Sequence, residues 1–234
     1  MSGVTTFEEL PAGESGLLSA RPGPDLAAAG YVEREYVASG AAVSYRGEQP
    51  GHGRWALEVR DEAEFATRVV VRRPEAPGSF SGTVVAEWLN VSSGSDAAPD
   101  WNFTAEEIVR RGHAWVGISA QRVGVEGGVS AVGGIGDTPL QGLKAQERYA
   151  ALRHPGDAYC YGIFTAVAEA LDDAGGPLAD LVVDVRLAVG ESQSAFAMTT
   201  YVNGVQPLTR AFDGFFVMSR AASGMVVPFS RASA

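Results

Sequence analysis

Short apolar runs at regular spacing constrain this chain most. Residues 83–89 (TVVAEWL), 114–119 (AWVGIS), 181–189 (LVVDVRLAV) and 212–218 (FDGFFVM) each have the length of one strand. The runs are apolar nearly throughout, as in strands covered by helices on both faces. The segments between them read as helices. Residues 101–111 (WNFTAEEIVRR) are amphipathic and stop at Gly112, a glycine suited to a left-handed C-cap. Pro155-Gly156-Asp157 opens a second helix running to about residue 173, with Asp157 as cap and Gly175-Gly176-Pro177 as stop. A third helix covers 193 to about 203. Strand and helix alternate, which predicts an α/β domain whose mostly parallel sheet carries helices on both faces.

The chain before residue 77 has a different texture. Residues 31–37 (YVEREYV), 55–60 (WALEVR) and 65–73 (FATRVVVRR) alternate apolar with polar, the period of half-exposed strands. Their links, including the turn Gly51-His52-Gly53, are too short for helical crossovers, so these strands are antiparallel. Residues 1–30 are rich in Gly, Pro and Ala and read as an N-terminal extension, with Phe7 and Leu10 as docking points. Residues 31–234 then form the N-terminal and central part of a single domain. The glycine-rich stretch 121–142 has no periodicity and reads as a functional loop. Residues 226–234 read as a tail, so the expectation is an incomplete C-terminal part.

Charge and composition exclude several classes of function. The net charge of −10 argues against nucleic acid or an anionic membrane surface as partner. No run approaches the ~18 apolar residues of a membrane-spanning helix. The first ten residues carry Glu8 and Glu9 and lack a secretory pattern. One cysteine, Cys160, excludes an internal disulfide and a multi-cysteine metal site, and its place between two tyrosines suggests a buried, inert thiol. The cytoplasm is the default compartment. The sequons at Asn90 and Asn102 carry no meaning there.

Chemistry is concentrated at Gly190-Glu191-Ser192-Gln193-Ser194, which joins an apolar strand to a helix without a spacer. A nucleophile elbow needs this context: a tight strand-to-helix turn raises the serine hydroxyl above the carboxyl edge of the sheet. Small residues two places before and after let strand and helix approach, and Gly190 and Ser194 meet that need. The helix start places the Gln193 N–H where an oxyanion develops. The competing reading is a small-residue turn required only for packing. Gly133-Gly134-Ile135-Gly136 follows no strand and is not read as a phosphate cradle.

Four segments taken together resemble a bacterial α/β-hydrolase family, over roughly residues 30–220. They are VVAEWLNVSSGSDAAPDWNF, RRGHAWVGISAQRVGVEG, HPGDAYCYGIF and AVGESQSAFAMTTYVNGVQPL followed by FDGFFVMSR. The resemblance implies an α/β-hydrolase fold, Ser192 as nucleophile, and a small ester-like substrate. It implies no metal or organic cofactor. It also places Asn90-Val91 after the strand that supplies a second oxyanion N–H, although the lipase-type HGGG string is absent.

In this fold the acid and the histidine follow the serine along the chain. After Ser192 there is no histidine, and the only acid, Asp213, opens a strand at what should be its wrong end. His52 reads as a surface turn residue and His113 as structural, at the edge opposite the elbow. His154 alone could approach the carboxyl edge, where a role as base competes with capping. The sequence therefore supports two functions. One is a serine hydrolase of carboxylic esters or related acyl bonds that lacks its acid and histidine here. The other is a non-catalytic hydrolase relative acting in binding or assembly, self-associating through an uncovered edge at 212–218.

Overall fold

The computed structural model describes residues 4–13, 17, 23–48, 55–129, 140–220 and 224–225. The chain order is β1 (Thr6–Glu9), β2 (Tyr31–Glu48), β3 (Ala56–Pro74), β4 (Thr83–Trp88), α1 (Pro99–Arg111), β5 (Ala114–Ile118) and α2 (Arg122–Glu126). It continues with β6 (Gly127–Gly128), β7 (Leu140–Gln141), α3 (Cys160–Glu169), β8 (Val185–Glu191), α4 (Gln193–Thr200), α5 (Gln206–Thr209) and β9 (Gly214–Met218). Seven strands form one mixed sheet in the order β1-β2-β3-β5-β4-β8-β9, while β6 and β7 pair separately.

β1, β2 and β3 are antiparallel, as their short links require, and β3 also meets β5 antiparallel. Two of the expected strands, 55–60 and 65–73, are one continuous strand. The charged stretch between them does not break it, because residues 58–62 lie on an arm exposed to solvent, where charge costs nothing. Part of the expected 1–30 extension also enters the sheet. Thr6 pairs with Ser39 through Glu9 with Tyr36, and the Phe7 ring packs edge-on against Tyr36 at 6.3 Å.

The parallel block is β5-β4-β8-β9. The chain passes from β4 to β5 on one side and then crosses to β8 on the other. The loops leaving β4 and β8 at their carboxyl ends therefore diverge around a crevice, the usual binding position in such sheets. Alternation along each strand divides the core. Val85 and Trp115 face α1, whose Trp101, Ala105 and Ile108 are buried there. Val84, Ala86, Trp88, Val116 and Ile118 face α3 and α4 on the opposite side. Helices thus cover both faces. α3 lies tight on β2: a Cβ at Gly162 would stand 2.2 Å from the Val43 carbonyl oxygen.

α1 stops at Gly112, which adopts φ 71° as the expected left-handed cap. The third helix differs from its expected span. α4 ends at Thr200 and continues as a π-turn, Tyr201–Val205, before α5. The glycine-rich stretch contains α2, and its residues 130–139, including Gly133 to Gly136, lie outside the described residues, as do His52 and 226–234. β9 is the last strand of the sheet, and its Phe216 is 49% exposed. Among the described residues no helix is long and apolar enough to cross a membrane.

Candidate active site

Ser192 stands between β8 and α4 with φ 55° and ψ −113°. A left-handed φ is rare for a residue with a side chain and costs about 1–3 kcal/mol, so the surrounding structure must enforce it. The neighbours account for that. A Cβ at Gly190 would lie 2.8 Å from Met198 Cγ and 2.9 Å from the Ser194 carbonyl oxygen, so only glycine allows α4 to turn back over β8. Ser194 is fully buried under this turn. The Ser192 N–H donates to the Met218 carbonyl at 3.1 Å, fastening the elbow to the end of β9. The turn lies at the carboxyl end of β8, beside the crevice, and the Ser192 side chain is half-exposed.

The loop after β4 reaches the same place. Asn90 Nδ2 donates to the Glu191 carbonyl at 2.9 Å, while its Oδ1 accepts from the Ser92 N–H and hydroxyl at 2.9 and 2.7 Å. The backbone N–H of Asn90 donates to Ala97 O. Asn90 is therefore brought to the turn as a clamp, with its backbone N–H and its side-chain amide both engaged. Val91 differs. Its N–H donates to the Gln193 Oε1 at 3.4 Å. Of the two residues expected near the oxyanion, Asn90 gives its N–H to Ala97 and Val91 gives its own to the Gln193 side chain. Sequence reasoning missed Gln121, which follows β5 and accepts from Gln193 Nε2 at 2.8 Å and from Trp88 Nε1 at 3.0 Å. A glutamine in an irregular segment carries no pattern that would mark it.

A second buried polar group ties β4 to the start of α1. Glu87 on β4 accepts from the Asp100 and Trp101 N–H groups at 3.0 and 2.8 Å, capping α1, and from the Trp115 indole at 2.8 Å. Asp100 is buried, and neither carboxyl oxygen has a partner among the described residues. Burial and the adjacent Asp100 push Glu87 up to about 8; burial and Glu191 push Asp100 up to about 7. Both carboxyls thus stand well above the usual carboxylate range, with burial as the main cause. The three N–H donors oppose the rise at Glu87 without cancelling it.

This arrangement has a pH consequence. The folded carboxyls bind protons more tightly than unfolded ones, which titrate near about 4. Their contribution to stability is therefore complete below about 4 and is lost as pH rises through about 7 to 8. Denaturation midpoints should fall between about pH 5 and about pH 8.5, and Asp100→Asn should flatten that fall. An unchanged slope in Asp100→Asn would refute this origin of the pH dependence.

The histidines separate cleanly. His113 lies at the amino end of β5, bonded to the Ser81 hydroxyl at 2.6 Å, on the edge opposite the elbow. His154 does approach the carboxyl edge, but both ring nitrogens are engaged. Nδ1 accepts from the Gly156 N–H at 3.0 Å, so Nε2 is the protonated nitrogen and donates to Ala120 O at 2.9 Å. Burial lowers its pKa and keeps it neutral. Asp213 pairs with the Arg186 backbone at 2.8 Å, at the amino ends of β8 and β9, the wrong end for a triad acid. Cys160 is buried and its thiol is pushed well up by desolvation, consistent with an inert side chain. Among the described residues no cluster of three His, Cys, Asp or Glu side chains could hold a metal ion.

A strained strand-to-helix turn at the carboxyl end of a parallel strand, with helices on both faces of the sheet, defines a class of fold. The chain matches the alpha/beta hydrolase domain family over residues 6–234 and belongs to it. No curated protein matches it. Among solved structures it is similar to the esterase Est22, with 11% identity and TM-score 0.41, over 83% of this chain and 46% of that one. Brefeldin A esterase, a bacterial homologue of human hormone sensitive lipase, gives 12% identity and TM-score 0.37, over 77% of this chain and 40% of that one. A CE15 glucuronoyl esterase from Teredinibacter turnerae gives 14% and 0.37, over 95% and 46%. The chain spans less than half the length of each of these structures.

Proposed function

We propose that the chain carries the nucleophile and oxyanion half of a serine hydrolase acting on carboxylic esters or related acyl bonds of small molecules. One observation carries the reading: Ser192 is held at φ 55° in a strand-to-helix turn that opens on the crevice. In the reaction Ser192 Oγ attacks the acyl carbon and loses its proton to a base. The carbonyl oxygen becomes an oxyanion facing the N–H groups of Gln193 and Val91, the alcohol leaves, and water releases the acid. The base is not assigned to His154 or His113. The commitments of His154 and Asp213 also favour a second reading, a binding module of the same fold. The acidic balance and the single buried cysteine suit a cytoplasmic setting.

The reading is tested with a fluorophosphonate at alkaline pH, where hydroxide removes the serine proton, the O–P bond forms and fluoride leaves. Intact-mass analysis should show one adduct, mapped to Ser192 and absent from Ser192→Ala. Equal labelling of Ser192→Ala would overturn the proposal.

A further inference from the structure

We propose that the Gln193 side chain is an internal occupant of the oxyanion site, held there by Gln121, which a substrate oxygen must displace to reach the Val91 N–H. The inference rests on reading Ser192 as the acyl nucleophile, and its starting point is Trp88. The indole Nε1 of this fully buried residue can only donate. The Gln121 atom that it meets at 3.0 Å is therefore the amide oxygen, not the nitrogen. The Gln193 atom 2.8 Å from that same oxygen must then be a nitrogen. This leaves the Gln193 oxygen turned toward the Val91 N–H, at 3.4 Å. One obligate donor in the core thus sets the orientation of two amides in series.

The chemistry follows from the strengths of these bonds. A buried N–H needs an acceptor, and without a ligand the Gln193 oxygen provides one. At 3.4 Å this bond lies at the long limit for N–H to oxygen and is weak. A ground-state ester carbonyl is a neutral acceptor of similar kind and gains little by replacing it. A developing oxyanion makes a shorter, charge-assisted bond and displaces it. The occupant therefore holds back ground-state binding while leaving transition-state binding available, which is the difference that raises turnover over affinity. Gln193 has two separate roles here: its backbone N–H serves the oxyanion, and its side chain competes with the substrate. Gln121 is a positioning residue.

The experiment combines two readouts on the 234-residue protein. Amide exchange at Val91, followed by NMR against Ala188 in β8 as internal reference, should accelerate by about fivefold in Gln193→Ala and Gln121→Leu, the loss of one neutral hydrogen bond. Capture of Ser192 by the fluorophosphonate should be faster in Gln193→Ala than in the parent. It should be slower in Gln193→Glu, whose carboxylate binds the Val91 N–H more firmly and repels the incoming oxygen. Unchanged Val91 exchange in Gln193→Ala would overturn the proposal, as would equal capture rates across the series. Where Gln121→Leu does not fold, the half-exposed Gln193 decides alone. Absence of capture in every variant would remove the hydrolase reading, while Val91 exchange would still judge the relay.

Discussion

Purified as these 234 residues, the protein is expected to hydrolyse p-nitrophenyl acetate no faster than about 10³–10⁴-fold over water. A serine hydroxyl is a poor nucleophile until a neighbouring base takes its proton, and an elbow without one retains only oxyanion stabilisation and binding. His154 has both nitrogens engaged and is held neutral by burial, and His113 is on the far edge of the sheet. Ser192→Ala should then change the residual rate only slightly, and His154→Ala should leave it nearly intact. A rate several orders higher that Ser192→Ala abolishes would overturn this. If His52→Ala abolished it as well, the base would be the one histidine outside the described residues.

Arg68→Ala is expected to lower folding stability by about 3–5 kcal/mol, measured as a shift in urea midpoint. Arg68 is fully buried on β3, with its guanidinium 3.3 Å from Glu35 and 2.9 Å from Asp96. Glu35 has further partners in Arg148, at 2.6 Å, and in the Tyr149 hydroxyl, at 2.8 Å. Asp96 is less well supplied: its second oxygen has no partner among the described residues. Removing Arg68 would leave a buried carboxylate in the loop that positions Asn90 and Val91. Arg34, paired with Glu9 at 3.1 Å where both are about half exposed, is the control, and Arg34→Ala should cost at most about 1 kcal/mol. Equal losses in the two variants would show that the buried network contributes nothing beyond a surface pair.

By itself the sequence determined the features that depend on local chain chemistry. The apolar runs with intervening amphipathic segments dictate a parallel block covered on both faces, because a strand with no polar face must be shielded twice. Gly112 ends α1 and Gly190 admits α4 over β8, each for want of a side chain at one backbone position. Ser192, between an apolar strand and a helix, was legible for the same reason. Tertiary structure decided what depends on contacts between distant segments. β1 and the unbroken β3 belong to the sheet because neighbouring strands supply their hydrogen bonds, a term that local polarity does not report. That the Asn90 N–H meets Ala97 and the Val91 N–H meets Gln193 is likewise set by the fold. Gln121 was invisible in sequence, because its role exists only where Trp88, Gln193 and the end of β5 converge. The fate of His154 was equally a matter of space: whether an imidazole is a base or a clamp depends on which backbone groups lie within about 3 Å of its two nitrogens, and the folded chain puts Gly156 and Ala120 there.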